Sequence, residues 1–161
     1  MKNRNLLRIV SLTMLAALLI GALAGCGKEQ GPKEELSASQ VAEKLSELAA
    51  AQGLESAVDY ADVFYGADFD KVEEFEVLSP MMNVKASEIA VFRVKDEKDG
   101  PEIQRALEQR AKDVQASFEL YLEDQYEIAK KAEIRSSGAF VCLIIDENAA
   151  EMAEEFEEMM K

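Results

Sequence analysis

The sequence contains no histidine and only two cysteines among its 161 residues. Without histidine, the chain cannot form a Ser-His-Asp or Cys-His nucleophilic system, an HExxH zinc site or most transition-metal sites. Because these absences remove much of the usual range of hydrolase mechanisms, we expect a protein that is not an enzyme. We therefore predict no catalytic residues, no metal site and no cofactor.

The first cysteine, Cys26, ends an apolar segment that follows a basic start. Lys2, Arg4 and Arg8 precede an uncharged run over residues 9–24. That run is shorter than the roughly 20 residues of a membrane-spanning helix, and it ends in the small residues of a cleavage site. An uncleaved anchor or an ordinary signal peptide would not explain small residues directly before a cysteine. Leu23-Ala24-Gly25-Cys26 is thus predicted to be a lipobox, with Cys26 as the lipidated first residue of the mature protein.

Lipidation of Cys26 leaves Cys142 as the second cysteine, so no intramolecular disulfide is expected. Cys142 stands in the middle of the apolar run over residues 139–145. Burial in such surroundings raises the pKa of a thiol, because it disfavours the thiolate. We therefore expect an inert core residue there.

The charge of the mature chain is strongly negative. Removal of residues 1–25 leaves 136 residues. They contain 15 of the 18 basic residues and all 32 acidic ones, which gives a net charge of −17. Such a domain is repelled by nucleic acids, anionic lipid head groups and anionic wall polymers. We expect none of these as a ligand, and contact with the membrane only through the N-terminal lipid.

Residue patterns divide the chain into a signal peptide (1–25), a polar tether (26–36) and one domain (37–161). The domain opens with a helix from Ser37 or Ser39, with a capping box between Ser37 and Gln40 and an end at Gly53. The remaining predicted elements are a strand at 75–77, a strand apolar on both faces at 89–94, a long helix from 101, a short helix at 125–131, an edge strand at 132–135, a hairpin turn at 136–138, a strand at 139–145 and a helix from 147.

This order, α-β-β-α-β-β-α, predicts an α+β fold in which helices pack on a four-stranded antiparallel or mixed sheet. The apolar positions of the long helix are expected to include Tyr121 as well as Ile103 and Leu107. Residues 149, 152, 153, 156 and 160 form the predicted inner face of the last helix, and its glutamates lie outside.

Two acidic regions permit a ligand-binding interpretation. Residues 58–70 mix aromatic side chains with aspartates, which is typical of a sugar-binding face but also of core and turn residues around Gly66. The glutamates of the last helix could bind a hard cation, but a solvated helix face explains them better, because helical spacing turns them away from any enclosed cage. An EF-hand is excluded, because aligning Gly66 or Gly100 with the invariant glycine places Ala61 or Lys95 at the first ligand position.

Residues 82–96, together with Arg110, Phe118-x-x-Tyr121, Gln125-Tyr126 and the Gly138 hairpin, resemble the lipoproteins catalogued as domain of unknown function 4358. These proteins are typical of low-GC Gram-positive bacteria, and stretch 86–96 is the most specific part of the likeness. The resemblance implies an extracytoplasmic lipoprotein. It carries over no catalytic or ligand-binding residues.

Within the same stretch, Lys85, Ser87 and Glu88 are polar residues at the entrance to a buried strand. They could form a small recognition site that Arg110 joins from the long helix. Alternatively, Glu88 and Arg110 form an ion pair that fixes the helix against the sheet.

The leading functional prediction is a lipid-anchored binding or assembly module on the outer face of the cytoplasmic membrane, with an envelope protein as partner. A receptor for a small ligand, a sugar or a divalent ion is the alternative. A small carboxylate-based envelope hydrolase is the third hypothesis.

Overall fold

A computed structural model of the chain describes residues 36–161. The predicted signal peptide, Cys26 and all of the predicted tether except Leu36 lie outside this range. No helix within it is long and apolar enough to cross a membrane. The strands are β1 (Leu54–Ser56), β2 (Val72–Pro80), β3 (Glu88–Val94), β4 (Glu133–Ser137) and β5 (Phe140–Ile145), and the helices are α1 (Ala38–Ser46), α2 (Ala61–Tyr65), α3 (Gly100–Phe118), α4 (Glu123–Ala129) and α5 (Ala149–Met159).

The strands form one five-stranded antiparallel sheet in the order β1-β2-β3-β5-β4. The α+β class is therefore confirmed, but the prediction of four strands was wrong by one. The additional strand, β1, has only three residues and pairs with the end of β2 through Leu54 and Pro80. So short a segment contains no alternation that could identify it as a strand.

Strand β3 lies in the centre of the sheet and is covered on both faces, as its sequence predicted. Ala90, Phe92 and Val94 belong to the core under α3, whereas Ile89 and Val91 belong to the core under α1 and α5. Because successive side chains of a strand point to opposite faces, this alternation places helices on both sides of the sheet. The result is a three-layer arrangement in which the sheet is the middle layer.

Helix α1 begins as its sequence predicted and ends earlier. The Ser37 backbone N–H donates to the Gln40 side chain at 2.9 Å, and the Gln40 N–H donates to Ser37 Oγ at 3.1 Å, which completes the capping box. The helix ends at Ser46 rather than at Gly53. The carboxylate of Asp146 accepts the N–H groups of Ala50 and Ala51 at 2.8 and 3.2 Å, and these bonds hold the chain after the helix in a non-helical path.

The other predicted elements are present, with ends shifted by a few residues; the strand predicted at 75–77 extends over Val72–Pro80, and α2 was not predicted. Helix α3 starts at Gly100 and buries Ile103 and Leu107, but it ends at Phe118, so Tyr121 is 70% exposed and its predicted burial was wrong. The hairpin between β4 and β5 turns at Gly138, whose φ of +54° is accessible to glycine at little cost. Helix α5 buries the predicted positions 149, 152, 153 and 156, while Met160 is half-buried.

Candidate functional site

A hollow of about 600 Å³ opens at the end of the sheet where β2 stops and β3 begins. We call it the main hollow. Its apolar walls come from α2 and the residues before it, from the loop between β2 and β3, and from α3; they are Tyr60, Phe64, Met81, Met82, Val114 and Phe118. All four residues of the predicted recognition site, Lys85, Ser87, Glu88 and Arg110, also line it.

Glu88, the first residue of β3, is the buried acid of the main hollow and is only 4% exposed. Arg110 on α3 donates to it from Nε to Oε1 at 3.0 Å and from Nη2 to Oε2 at 2.5 Å. The hydroxyl of Tyr65 donates to Oε1 at 2.6 Å. The ion pair that the sequence offered as the structural alternative is therefore present, and it forms part of the wall of the hollow.

Aromatic rings enclose the guanidinium of Arg110. Its Cζ lies 4.7 Å from the centroid of the Phe64 ring and 5.7 Å from that of the Tyr65 ring. Such distances are those of cation–π contacts. Burial and the nearby Glu88 carboxylate raise the pKa of Tyr65 well above its ordinary value, so its hydroxyl stays protonated and remains a donor to Glu88. The cluster of Tyr65, Glu88 and Arg110 is thus an internally neutralised, hydrogen-bonded unit.

Ser87 precedes this cluster and is only 6% exposed, yet its hydroxyl has no hydrogen-bond partner among the described residues. Every fully buried side-chain nitrogen or oxygen within residues 36–161 does have a partner. The Ser87 hydroxyl therefore opens on the space that the residue lines. This hydroxyl is therefore available to bind a ligand.

Lys85 is exposed and forms no ion pair within 4 Å among the described residues. A hydrogen bond from Gln125 and, more weakly, the charge of Lys85 lower the pKa of Asp124. The loop that carries Lys85 is fixed from α4, because the N–H of Ala86 donates to Oε1 of the buried Gln125 at 3.0 Å. The sequence interpretation did not single out Gln125 as a support of this site.

A second hollow, of about 280 Å³, shares Pro80, Lys85 and Ser87 with the main one. Its other walls include Gln52, Asp146 and Glu147. Lys85 and Ser87 therefore lie on a ridge between two neighbouring hollows. Sequence reasoning missed this second hollow, although an acid directly after the apolar run of β5 is a signal of a buried carboxylate.

The aromatic and acidic segment at 58–70 contributes its aromatic side chains to the site but not its acids. Tyr65 is in the core, and Tyr60 and Phe64 line the main hollow. The aspartates at 59, 62, 68 and 70 do not line it. This segment therefore brings rings but no carboxylates to the main hollow.

The acidic residues that the structure describes do not form a cation site. Within residues 36–161 there is no group of three or more histidine, cysteine, aspartate or glutamate side chains that could hold a metal ion. Glu151, Glu154 and Glu158 on α5 are exposed to solvent.

Cys142 is fully buried in β5, and burial raises the pKa of its thiol to about 12. In the mature chain carrying Cys26→Ser, we expect a thiol reagent at pH 8 to label less than about 0.1 equivalent per native protein, because the thiolate is the reactive form. The same chain in guanidinium should label with one equivalent. Rapid stoichiometric labelling of the native protein would contradict the buried position.

Comparison with known proteins gives a family. The family model described as "Domain of unknown function (DUF4358)" matches residues 54–146. No curated protein and no solved structure matches the chain. The matched segment runs from β1 to Asp146 and contains both the ridge and the cluster around Glu88, whereas α1 and α5 lie outside it.

Proposed function

Because the chain belongs to the DUF4358 family, whose description assigns no activity, we propose a function from its own geometry. The protein is a lipid-anchored, extracytoplasmic binding module, and its ligand occupies the main hollow. The observation that carries this proposal is that one hollow brings exposed apolar side chains together with the hydroxyl of Ser87 and the ammonium of Lys85, neither of which has a side-chain partner within residues 36–161.

The size and lining of the main hollow support ligand binding. Ligand pockets measure roughly 300–1,000 Å³ and combine mostly apolar walls with a few polar groups that orient the ligand. The hollow has about 600 Å³, and its apolar residues Tyr60, Met81 and Met82 are 62, 76 and 66% exposed. Methionine side chains adapt to varied apolar shapes, which suits a binding surface. Exposed apolar residues gathered at one hollow indicate a binding surface.

Two polar groups of the hollow, Glu88 and Ser117, are engaged in hydrogen bonds within the fold, which favours binding over catalysis at these two positions. Both oxygens of Glu88 accept hydrogen bonds from Arg110 or Tyr65, so this carboxylate is not placed to take a proton from a ligand. Ser117 donates its hydroxyl to the backbone carbonyl of Asp113 at 2.8 Å. A nucleophile needs an adjacent base that faces the substrate, and these two residues do not supply such a pair.

The location proposed for the module comes from the sequence. Two acyl chains on Cys26 would anchor the chain stably, since a single chain gives only reversible membrane binding. The tether of about a dozen residues spans at most about 40 Å when extended. The domain would therefore lie close to the outer face of the membrane, within reach of envelope proteins.

A thermal-shift measurement on the mature chain carrying Cys26→Ser tests the hollow. We expect a member of a panel of peptides, sugars and divalent ions to raise the melting temperature by roughly 10 °C when its concentration is about 100 times its dissociation constant, which corresponds to about 2.7 kcal/mol. Ser117→Trp fills the hollow from an exposed position of α3 and should abolish the shift.

Ala116→Trp is the matched control, because residue 116 is exposed on the same helix but does not line the hollow. This variant should keep the full shift. If no compound in the panel stabilises the protein, or if Ser117→Trp responds like the unmodified chain, the hollow is not the binding site.

A further inference from the structure

We propose that the ligand is an extended peptide segment that carries a large apolar side chain close to a basic one. The segment lies across the ridge of Lys85 and Ser87, with the apolar side chain in the main hollow and the basic side chain in the second hollow. This inference rests on the proposed function, because it names the class of ligand for the same site.

The main hollow suits an uncharged, bulky group. Aromatic and methionine side chains form one part of its wall, and the buried Glu88 and Arg110 neutralise each other at hydrogen-bond distance. Glu55 and Lys85 also line it, and they carry opposite charges. Burial of a large aliphatic or aromatic side chain against such walls contributes roughly 1.5–3 kcal/mol.

The second hollow is lined by two acids, Asp146 and Glu147, and one base, Lys85. Asp146 is 1% exposed, and its carboxylate accepts the N–H groups of Ala50, Ala51 and Asn148, so it lies within the wall of this hollow rather than at its surface. Glu147, beside it, is exposed and forms no ion pair among the described residues. An ammonium or guanidinium group can pair with the exposed carboxylate of Glu147. The net charge of −17 on the mature chain draws a basic segment towards the domain at long range as well.

The ridge supplies hydrogen-bonding groups that fit a peptide backbone. The hydroxyl of Ser87 can donate to a carbonyl or accept from an N–H, and the ammonium of Lys85 can donate to a carbonyl. Neither group has a partner of this kind among the described residues. In an extended chain, alternate side chains point to the same side about 7 Å apart, so one segment can fill two neighbouring hollows while its backbone crosses the ridge.

Selection from a random heptapeptide phage library against the mature chain carrying Cys26→Ser tests the inference. Selected peptides should carry Phe, Tyr, Leu or Met within two positions of Lys or Arg. Their synthetic forms, followed by fluorescence anisotropy, should lose at least tenfold in affinity with Glu147→Lys and several-fold with Ser87→Ala. Glu151→Lys makes the same change of charge on α5 and should leave the affinity within twofold.

The outcomes distinguish a failure of the peptide assignment from a failure of the proposed binding function. Selected peptides without a basic residue, or equal weakening by Glu147→Lys and Glu151→Lys, would overturn the inference. If no peptide is selected but a sugar stabilises the protein and Ser117→Trp abolishes that effect, the hollow binds a ligand and the peptide assignment is wrong. If neither peptides nor the thermal-shift panel give binding, both proposals fail.

Discussion

Replacement of Glu88 by alanine is expected to lower the free energy of unfolding by about 3–5 kcal/mol, as is typical when one partner of a buried ion pair is removed. The reason is that Arg110, whose side chain is 19% exposed, would keep its charge without the carboxylate that compensates it. The hydroxyl of Tyr65 would also lose its acceptor inside the core. Urea unfolding followed by circular dichroism measures the change.

Two further variants show whether the loss of stability in Glu88→Ala comes from the uncompensated charge of Arg110. Glu73→Ala removes an exposed partner of Arg93, and such surface pairs contribute at most about 1 kcal/mol. The double variant Glu88→Met with Arg110→Met removes both charges and should be more stable than Glu88→Ala, because no unpaired ion remains. If Glu88→Ala unfolds at the same urea concentration as Glu73→Ala, the cluster does not have the structural role assigned to it.

Replacement of Cys26 by serine is expected to remove all lipid from the protein, since acyl transfer to this position needs the thiol. In cells supplied with a radiolabelled fatty acid, the wild-type protein should carry the label and Cys26→Ser should carry none. Cys142→Ala is the matched control and should be labelled normally, because the second cysteine is buried in β5. Intact mass should place the N-terminus of the wild-type protein at residue 26.

Label that persists in Cys26→Ser would contradict the lipobox interpretation. So would a wild-type mass that includes residues 1–25, because that mass would indicate an uncleaved anchor. Neither the radiolabel nor the intact mass depends on how strongly Cys26→Ser stays with the membrane through its apolar segment at 9–24.

Local sequence patterns predicted correctly those elements whose signal lies within a short stretch of neighbouring residues. The apolar run of β3, the Gly138 hairpin and the Ser37–Gln40 capping box each express one periodicity or one pair of neighbouring residues, and each is present. The predictions of element ends were wrong where a contact with a residue distant in the sequence determines the path of the chain. Asp146 lies almost 100 residues from Ala50, yet it decides the path of the chain after α1, and no local pattern reports that contact.

Some residues of the candidate site could likewise be predicted from the sequence, whereas others are brought together only by the tertiary structure. Lys85, Ser87 and Glu88 were singled out as polar residues before a buried strand, and the structure places them with Arg110 around one hollow. The sequence did not reveal that Phe64 and Met82 share the same hollow, because these residues approach each other only when α2 and the loop between β2 and β3 meet beside α3. The ridge between two hollows is a property of that tertiary arrangement.

The most direct test of the central claim, that the main hollow binds a ligand in the envelope, is site-specific photo-cross-linking in intact cells. A benzophenone amino acid in place of Met82 would stand in the wall of the hollow, and one in place of Glu151 would stand on the solvent face of α5. We predict an adduct from position 82 whose yield exceeds that from position 151 at least fivefold. Equal yields from both positions, or no adduct from position 82, would contradict the claim.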